Sequence, residues 1–370
     1  MQNRRQWLKN SVGLGGLLLT PSIGLSAKQI ELYRPRPLEK SIRLSSNENP
    51  YGPSKKVQEA INQAFDHACR YPSAYSSELA EKLAKKHGVS SDSIVITGGS
   101  TEGLKAAGLT YAHNGGEIIA CQPTFLAMMT YAKQWDAKIN WVPVDQNKGY
   151  DLQEIEKRVS AKTKMIFLCN PNNPTGTLLP AQELKDFCQS LSKKTIVFSD
   201  EAYYDYIEEE NYPSMDVLVR QGENVIVSKT FSKVYGIAGL RIGYLIAKPS
   251  IASELKKNIM AMTNVLAIAA ADASLTDTDF YEFSLAQNKK AKTKIYEVLD
   301  YLKLDHIPSS TNFIFFHSQR QIEQLQAQML QEGVVVGRPF SPFLDWCRIS
   351  TGTQEEVDVF VKGMLKIYNG

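Results

Sequence analysis

Residues 228–244 combine two lysines, three short hydroxyl side chains, three glycines and one arginine. Apolar stretches of strand length, 224–227 and 242–247, flank this segment. Hydroxyl groups, a glycine-rich turn and an arginine can together hold a phosphate group. A lysine between apolar strands can have its amine partly desolvated, which makes the amine available as a nucleophile. The segment therefore predicts a phosphate site beside a reactive lysine.

The pattern S-K-T-F-S-K-x-x-G-x-A-G-L-R-x-G in this segment resembles the Schiff-base segment of fold-type I pyridoxal-phosphate (PLP) aminotransferases of classes I and II. The histidinol-phosphate aminotransferase branch is the most similar. The resemblance implies that Lys233 forms the aldimine with PLP and that Arg241 binds the PLP phosphate. It adds Thr230 and Ser232 to the cofactor-binding set and leaves Lys229 as scaffolding at a strand end.

Two further motifs, N-P-N-N-P-T-G at 170–176 and D-E-A-Y at 200–203, follow predicted strands. An asparagine amide can donate to a phenolate oxygen, and a carboxylate at a strand end can pair with a protonated pyridine nitrogen. The resemblance assigns Asn173 and Tyr203 to the 3-oxygen of PLP and Asp200 to its ring nitrogen. Together with Lys233, these three residues are the predicted catalytic set.

A glycine-rich turn at 98–103 leads from a predicted strand into a helix. Backbone N–H groups at a helix N-terminus attract anions, so the turn is a candidate phosphate site. The resemblance names Gly99, Ser100 and Thr101 as phosphate contacts. It also implies that Phe125, which follows the next strand, stacks on the pyridine ring.

Candidate substrate contacts lie near both ends of the chain. The motif C-R-I-S-T-G-T at 347–353 resembles the family segment whose arginine, here Arg348, grips a substrate carboxylate with two hydrogen bonds. Arg338 matches a second substrate arginine, and Asn312 is a weaker candidate. Tyr51, in the motif N-E-N-P-Y-G, is either a substrate contact or a scaffold of its loop.

Tyr71 belongs to an R-Y-P motif at 70–72 that ends a predicted helix. In the family this tyrosine reaches the cofactor phosphate of the other subunit. The resemblance therefore implies a homodimer in which Tyr71 crosses the interface.

Buried strands alternate with helices from Ser93 to Ala247, which predicts an α/β fold with a mostly parallel sheet flanked by helices. The resemblance implies an aspartate aminotransferase-like, fold-type I chain with a smaller α+β domain. The predicted parts are a signal peptide at 1–27, an arm and part of the small domain at 28–70, the large PLP-binding domain at 71–250, an interdomain helical segment at 251–285, and the small C-terminal domain at 286–370.

The N-terminus begins with a basic stretch at 3–9, followed by a short apolar run and then by small residues. This layout predicts an export signal, because the apolar run is too short to span a membrane. Its R-R-x-aromatic-L-K core, which starts at Arg4 and Arg5, resembles a twin-arginine signal. We therefore expect the twin-arginine export machinery as a partner and a periplasmic or otherwise exported protein, or a cytoplasmic one if the signal does not function.

The 370 residues carry a formal charge of +3, and 22% of them are charged. This balance, without a basic stripe interleaved with aromatic residues, argues against a nucleic-acid-binding protein. None of the five cysteines forms a CxxC pair, so we expect buried thiols and neither a metal site nor a disulfide framework.

The sequence therefore predicts a PLP-dependent aminotransferase that moves an amino group between an amino acid, or an amino-alcohol phosphate, and a 2-oxo acid. Two alternatives share the scaffold: a PLP-dependent decarboxylase, racemase or lyase, and an exported PLP-binding protein without turnover. Because histidine biosynthesis is expected in the cytoplasm, the export signal favours an amino-acid or amine substrate other than histidinol phosphate.

Overall fold

The computed structural model describes residues 41–369, so the predicted signal peptide and most of the predicted arm lie outside the described part. Strands and helices in that part are numbered in chain order. The strands are β1 Ile42–Arg43, β2 Ile94–Thr97, β3 Glu117–Gln122, β4 Lys138–Pro143, β5 Thr163–Cys169, β6 Ile196–Asp200, β7 Val225–Thr230, β8 Gly243–Ala247, β9 His306–Ile307, β10 Phe313–His317, β11 Val334–Val335 and β12 Trp346–Ser350. The α-helices are α1 Lys55–Ala64, α2 Ser73–His87, α3 Ser100–Ala112, α4 Ala127–Ala132, α5 Leu152–Lys157, α6 Ala181–Leu191, α7 Asp216–Arg220, α8 Pro249–Lys256, α9 Val265–Ser274, α10 Thr278–Tyr301, α11 Ile322–Gln331 and α12 Gln354–Asn369.

A seven-stranded sheet in the order β2-β8-β7-β6-β5-β3-β4 dominates the fold. β8 runs antiparallel to both of its neighbours, and the other ladders are parallel. The central strands are almost continuously apolar because helices cover both faces of a parallel sheet. Two hydrophobic cores, one containing Ile166 and Val197 and the other Phe167 and Phe198, reflect the alternation of side chains along β5 and β6. The predicted α/β fold with a mostly parallel sheet is confirmed.

A second, antiparallel sheet in the order β12-β10-β9 has its own core, in which Phe316 and Ile349 pack against α10 and α12. The register pairs Phe315 with Arg348 and Phe313 with Ser350. The two-residue strand β1 pairs in parallel with β11 in a separate two-stranded sheet. The predicted domain boundaries stay predictions.

The loop that follows β1 crosses the turn after β7 at a pair of glycines. A Cβ atom built on Gly52 would lie 2.5 Å from the Cα of Gly236, and one built on Gly236 would lie 2.6 Å from the Cα of Gly52. Gly236 also has a positive φ of 68°, which an L side chain rarely adopts. Both contacts involve backbone atoms, so the close approach requires glycine on both sides.

The helical segment predicted at 251–285 is interrupted between 251 and 275. The structure has two helices there, α8 and α9, separated at 257–264. Asn264 caps the second helix because its side chain accepts a hydrogen bond from the backbone N–H of Ala267. Within the gap, the backbone N–H of Met260 donates to Glu102 of α3 instead of continuing a helix.

All five cysteines are free thiols, and four of them are buried, while Cys69 is exposed. Within residues 41–369, no helix is long and apolar enough to cross a membrane.

Candidate active site

Side chains from several loops converge at one edge of the seven-stranded sheet. Asp200 is the last residue of β6, Asn173 follows β5, and Lys233 follows β7. The carboxyl ends of parallel strands meet at the same edge of a sheet, where α/β proteins bind their ligands. A hydrogen bond between Arg348 of β12 and Asn173 joins these loops to the second sheet.

Lys233 is partly buried, and its Nζ donates to the backbone oxygen of Asn47 over 3.0 Å. The same nitrogen lies 5.4 Å from the centre of the Tyr203 ring. Burial, followed by the Arg348 guanidinium, lowers the pKa of Lys233 to about 8. A lysine with this pKa carries an appreciable neutral fraction near neutral pH, and the neutral amine is the form that attacks a carbonyl group.

Lys229, the other lysine of the motif, has a different environment. Its Nζ forms an ion pair of 2.7 Å with Glu201 and lies 3.8 Å from the centre of the Tyr204 ring. Although burial lowers it, the carboxylates of Glu201 and Asp205 raise the pKa of Lys229 above its usual value. The ammonium group is therefore held in its charged form, which is not nucleophilic.

Asp200 is 2% exposed, and its Oδ1 has no hydrogen-bond partner among the described residues. Burial raises the pKa of this carboxyl group to about 7, although Lys233 lowers it in part. A buried acceptor without a donor is costly in a folded protein. The protonated ring nitrogen of PLP would supply the missing donor, so this carboxylate fits the cofactor.

Asn173 and Tyr203 meet beside Asp200, and both are buried. The Nδ2 of Asn173 donates to the Tyr203 hydroxyl over 3.3 Å. The Tyr203 ring packs edge-on against Phe313 of β10, with 5.1 Å between ring centres. The structure thus brings together the amide and the phenol that were predicted to contact one cofactor oxygen.

The predicted phosphate site joins the turn before α3 to Arg241. Gly99 has a φ of 83°, and a Cβ atom built on it would collide with the terminal nitrogen of the Arg241 guanidinium. Glycine is therefore required for the guanidinium to approach this turn. Ser100 and Thr101 form the first turn of α3, where backbone N–H groups are free to bind an anion.

The hydroxyls of Thr230 and Ser232 lie 3.0 Å apart and are buried next to the Lys233 turn. Arg241 itself has a positive φ of 58° and donates to the backbone oxygen of Ala238 over 2.9 Å. Hydroxyl, guanidinium and backbone donors are the groups that bind phosphate in proteins, so this cradle also fits PLP.

Arg348 links the second sheet to these loops. Its Nη1 donates to Oδ1 of Asn173 over 2.7 Å, and its Nη2 donates to the backbone oxygen of Ser45. Its Nε has no partner among the described residues. Burial lowers the pKa of this guanidinium to about 10. Each terminal nitrogen carries a second N–H, so Arg348 can still bind a carboxylate.

Phe340 lies between the two predicted substrate arginines. Its ring centre is 4.9 Å from the Arg348 guanidinium carbon and 4.3 Å from that of Arg338, which is exposed. Asn312 is 1% exposed, and its Nδ2 donates to the backbone oxygen of Glu48 while its Oδ1 has no described partner. The two arginines thus share one aromatic ring, while Asn312 contacts the loop that follows β1.

Three predicted site residues are less tightly connected to this cluster. The Tyr51 hydroxyl contacts Gln287 of α10 at 3.5 Å, and its ring packs edge-on against Phe283. Phe125 follows β3 and packs, partly buried, against the core of the sheet. Tyr71 is 91% exposed directly before α2. Their contacts with substrate, with the pyridine ring and with a second subunit stay predictions.

Sequence reasoning missed Asn47, which is 1% exposed. It forms hydrogen bonds with three residues that are distant in the chain, Tyr203, Lys233 and Ser350. It is part of the N-E-N-P-Y-G motif, from which only Tyr51 was selected. Its position as a polar residue inside a family-specific loop motif was the sequence signal that could have identified it. Sequence reasoning also missed the partnership of Glu201 with Lys229, because a D-E pair at a strand end does not indicate which carboxylate faces the ligand.

No group of three or more His, Cys, Asp or Glu side chains in the described chain could hold a metal ion. The polar groups at this edge of the sheet instead match an organic cofactor with a phosphate, a phenolic oxygen and a ring nitrogen.

The profile described as "Aminotransferase class I and II" matches residues 39–364. The chain belongs to this family. A histidinol-phosphate aminotransferase of Moorella thermoacetica is 36% identical over 341 residues, which cover 91% of this chain and 88% of that protein. A solved histidinol-phosphate aminotransferase from Sinorhizobium meliloti, in complex with pyridoxal-5'-phosphate, has 26% identity and a TM-score of 0.84, with 95% of each chain covered.

An aspartate aminotransferase structure from Thermotoga maritima has a TM-score of 0.79 and 21% identity, covers 90% of this chain and 93% of its own, and supports the fold alone. The aspartate aminotransferase-like fold, the PLP cofactor and the aminotransferase class predicted from the sequence are confirmed. The alternatives of a decarboxylase, racemase or lyase and of a binding protein without turnover find no support in the family match.

We predict that Asp200→Asn stabilises the cofactor-free protein at alkaline pH. The folded-state pKa of about 7 exceeds the ordinary value of 3.8, so the contribution of Asp200 to stability is present at low pH and is lost as pH rises through about 7. Asparagine avoids the buried charge, and we expect a gain on the order of a few kcal/mol above that pH. Thermal unfolding measured across a pH series checks this, and the two melting temperatures should converge in acid. A variant that is less stable than wild type at alkaline pH would contradict the prediction.

Proposed function

We propose that Lys233 of this aminotransferase binds the cofactor covalently and moves the proton during amino transfer between an amino acid, or an amino-alcohol phosphate, and a 2-oxo acid. One observation carries the proposal: the amine with the lowered pKa lies beside a buried guanidinium, Arg348, and a buried carboxylate, Asp200, whose Oδ1 has no hydrogen-bond partner among the described residues. Nucleophile, ring-nitrogen partner and carboxylate ligand are the three functions that the reaction requires of the protein.

The roles of the side chains follow from their chemistry. Bound PLP supplies an electron sink for the bond that is broken next to the substrate nitrogen. The Lys233 amine, once neutral, accepts the proton from the substrate carbon and returns it as a general acid. Asp200 keeps the ring nitrogen protonated, and Asn173 with Tyr203 stabilises the phenolic oxygen. Arg348 binds the carboxylate of the substrate. The resulting orientation selects the C–H bond as the one that breaks.

The predicted export signal and two arginines of the site bear on the identity of the substrate. The predicted export signal leads us to propose an amino acid or amine other than histidinol phosphate, used outside the cytoplasm. The second candidate is histidinol phosphate, which the name of the Moorella thermoacetica relative supports. Arg338 and Arg348, on either side of Phe340, suit a phosphate or a second carboxylate equally well.

We further propose a homodimer with Tyr71 at the interface. Tyr71, Met260 and Met262 are large apolar side chains with exposures of 91%, 71% and 60%. The Ser73 hydroxyl lies 3.7 Å from the sulfur of Met262, so α2 and the 257–264 segment are adjacent. Exposed apolar side chains that cluster in this way mark interaction surfaces and support the assignment.

We predict that Lys233→Ala impairs cofactor binding and turnover, whereas Lys229→Ala impairs stability. Lys233→Ala should abolish the visible absorbance of lysine-bound cofactor and lower turnover by at least about 10²–10⁴-fold, because the proton-transfer group is gone. Lys229→Ala should keep that absorbance but lose roughly 3–5 kcal/mol of stability, because Glu201 remains as a buried charge without its partner. Absorbance spectra and thermal unfolding of both variants distinguish the two roles. Retention of the absorbance in Lys233→Ala would refute the proposed function.

We predict that the protein without residues 1–27 does not restore growth of a bacterial strain that lacks histidinol-phosphate aminotransferase. The positive control is the Moorella thermoacetica relative, expressed to the same level. The purified protein should meanwhile convert at least one other donor in a screen of amino acids and amines against 2-oxo acids. Growth of the complemented strain would favour histidinol phosphate instead.

We predict that Arg4→Lys combined with Arg5→Lys prevents export, because a twin-arginine signal depends on both arginines. The full chain should be recovered from the periplasmic fraction and the variant from the cytoplasm. Lys28→Arg, a change between the same two residue types outside the R-R-x-aromatic-L-K core, serves as the control and should leave export unchanged. Recovery of all three proteins from the cytoplasm would argue for an enzyme that is not exported.

A further inference from the structure

Asn47 is bonded to three different parts of the candidate site. Its backbone oxygen accepts from Lys233 Nζ over 3.0 Å, and its Nδ2 donates to the Tyr203 hydroxyl over 2.9 Å. Its backbone N–H donates to the Ser350 hydroxyl over 2.8 Å, and the same hydroxyl donates back to Oδ1 of Asn47 over 2.7 Å. Every polar atom of this buried residue therefore has a partner in the site or next to it.

The reciprocal bonds with Ser350 fix the side chain of Asn47 in one orientation. Ser350 lies on β12, the strand that also carries Arg348. Because Oδ1 is held by the serine, Nδ2 of the same amide must face Tyr203. A positive φ of 54°, which asparagine tolerates better than most residues, gives the backbone the shape that this arrangement requires.

The Tyr203 oxygen accepts two hydrogen bonds, one from Nδ2 of Asn47 over 2.9 Å and one from Nδ2 of Asn173 over 3.3 Å. A phenolic oxygen has two lone pairs and one hydrogen. With both lone pairs occupied, the hydroxyl hydrogen is left to donate in a third direction. The hydroxyl thus acts as a donor, which is the role needed to stabilise a phenolate-type oxygen of a ligand.

We propose that Asn47 is a positioning residue that orients the Tyr203 hydroxyl as a donor toward the cofactor and provides a fixed acceptor for the Lys233 amine. This inference rests on the proposed function. Asn47 does not need to touch the cofactor or the substrate, since it acts through Tyr203 and Lys233. It also connects these two residues to the Arg348 strand, so the cofactor-side and substrate-side groups share one anchor.

The test is a double-mutant cycle on the cofactor-loaded enzyme, with Asn47→Gly, Tyr203→Phe and the double variant. Glycine keeps the positive φ and the backbone oxygen that accepts from Lys233, and it removes the amide without adding charge. We expect Asn47→Gly to shift the pH midpoint of the bound-cofactor absorbance by roughly half a unit or more. The reason is that a hydrogen bond from the Tyr203 hydroxyl to the charged phenolic oxygen of the cofactor would influence that titration. In the Tyr203→Phe background, Asn47→Gly should produce almost no further shift.

The matched control is Asn114→Gly, which changes an exposed asparagine that has the same φ of 54°. It should leave the midpoint unchanged. An unchanged midpoint in Asn47→Gly, or an equal shift with and without the Tyr203 hydroxyl, would overturn the inference.

If Asn47→Gly does not fold, Ser350→Ala replaces it in the cycle, because it releases the amide from its anchor. The same coupling with Tyr203→Phe is expected, and its absence would again overturn the inference. Failure of the proposed function is recognised separately, because it would appear as lysine-bound absorbance in Lys233→Ala whatever the cycle shows.

Discussion

Two cations, Lys233 and Arg348, lie close enough in a poorly hydrated site that the guanidinium lowers the pKa of the amine. Burial also lowers the pKa of each one. Removing charge from water costs free energy unless the charge is paired and hydrogen-bonded. Two carboxylates among the described residues, the partly exposed Glu48 and the buried Asp200, raise the pKa of the amine in return, and Oδ1 of Asp200 remains without a donor. The site is thus complementary to a ligand that brings negative charge and one positively polarised N–H, which describes PLP together with a carboxylate substrate.

The loop at 45–49 offsets part of this cost with backbone atoms. The carbonyl oxygens of Ser45, Asn47 and Glu48 accept hydrogen bonds from Arg348, Lys233 and Asn312, respectively. Carbonyl dipoles stabilise cations without introducing a formal charge that would repel an anionic substrate. The loop therefore holds the basic side chains in position and leaves the net charge of the site positive.

Some parts of the fold and of the site could be predicted from the sequence alone, and others could not. The sheet could be predicted because its buried strands are continuous apolar runs, and motif residues such as Asp200, Asn173 and Lys233 could be placed because their strands end at one edge. The break at 257–264 was missed because its apolar residues suit a helix, while the decisive contact of Met260 is with distant Glu102. Asn47 was missed for a similar reason: its importance arises from partners that lie more than a hundred positions away in the chain.

The glycine pair that joins the loop at 45–52 to the turn after Lys233 restricts how this enzyme can vary. Because Gly52 and Gly236 meet through backbone atoms, a side chain at either position would separate the two segments. That separation would pull the carbonyl of Asn47 away from the reactive amine, although neither glycine carries a functional group. Libraries that aim to change substrate preference should therefore diversify Arg338 or Asn312 and keep both glycines fixed, since the crossing sets the spacing on which every variant of the pocket would rely.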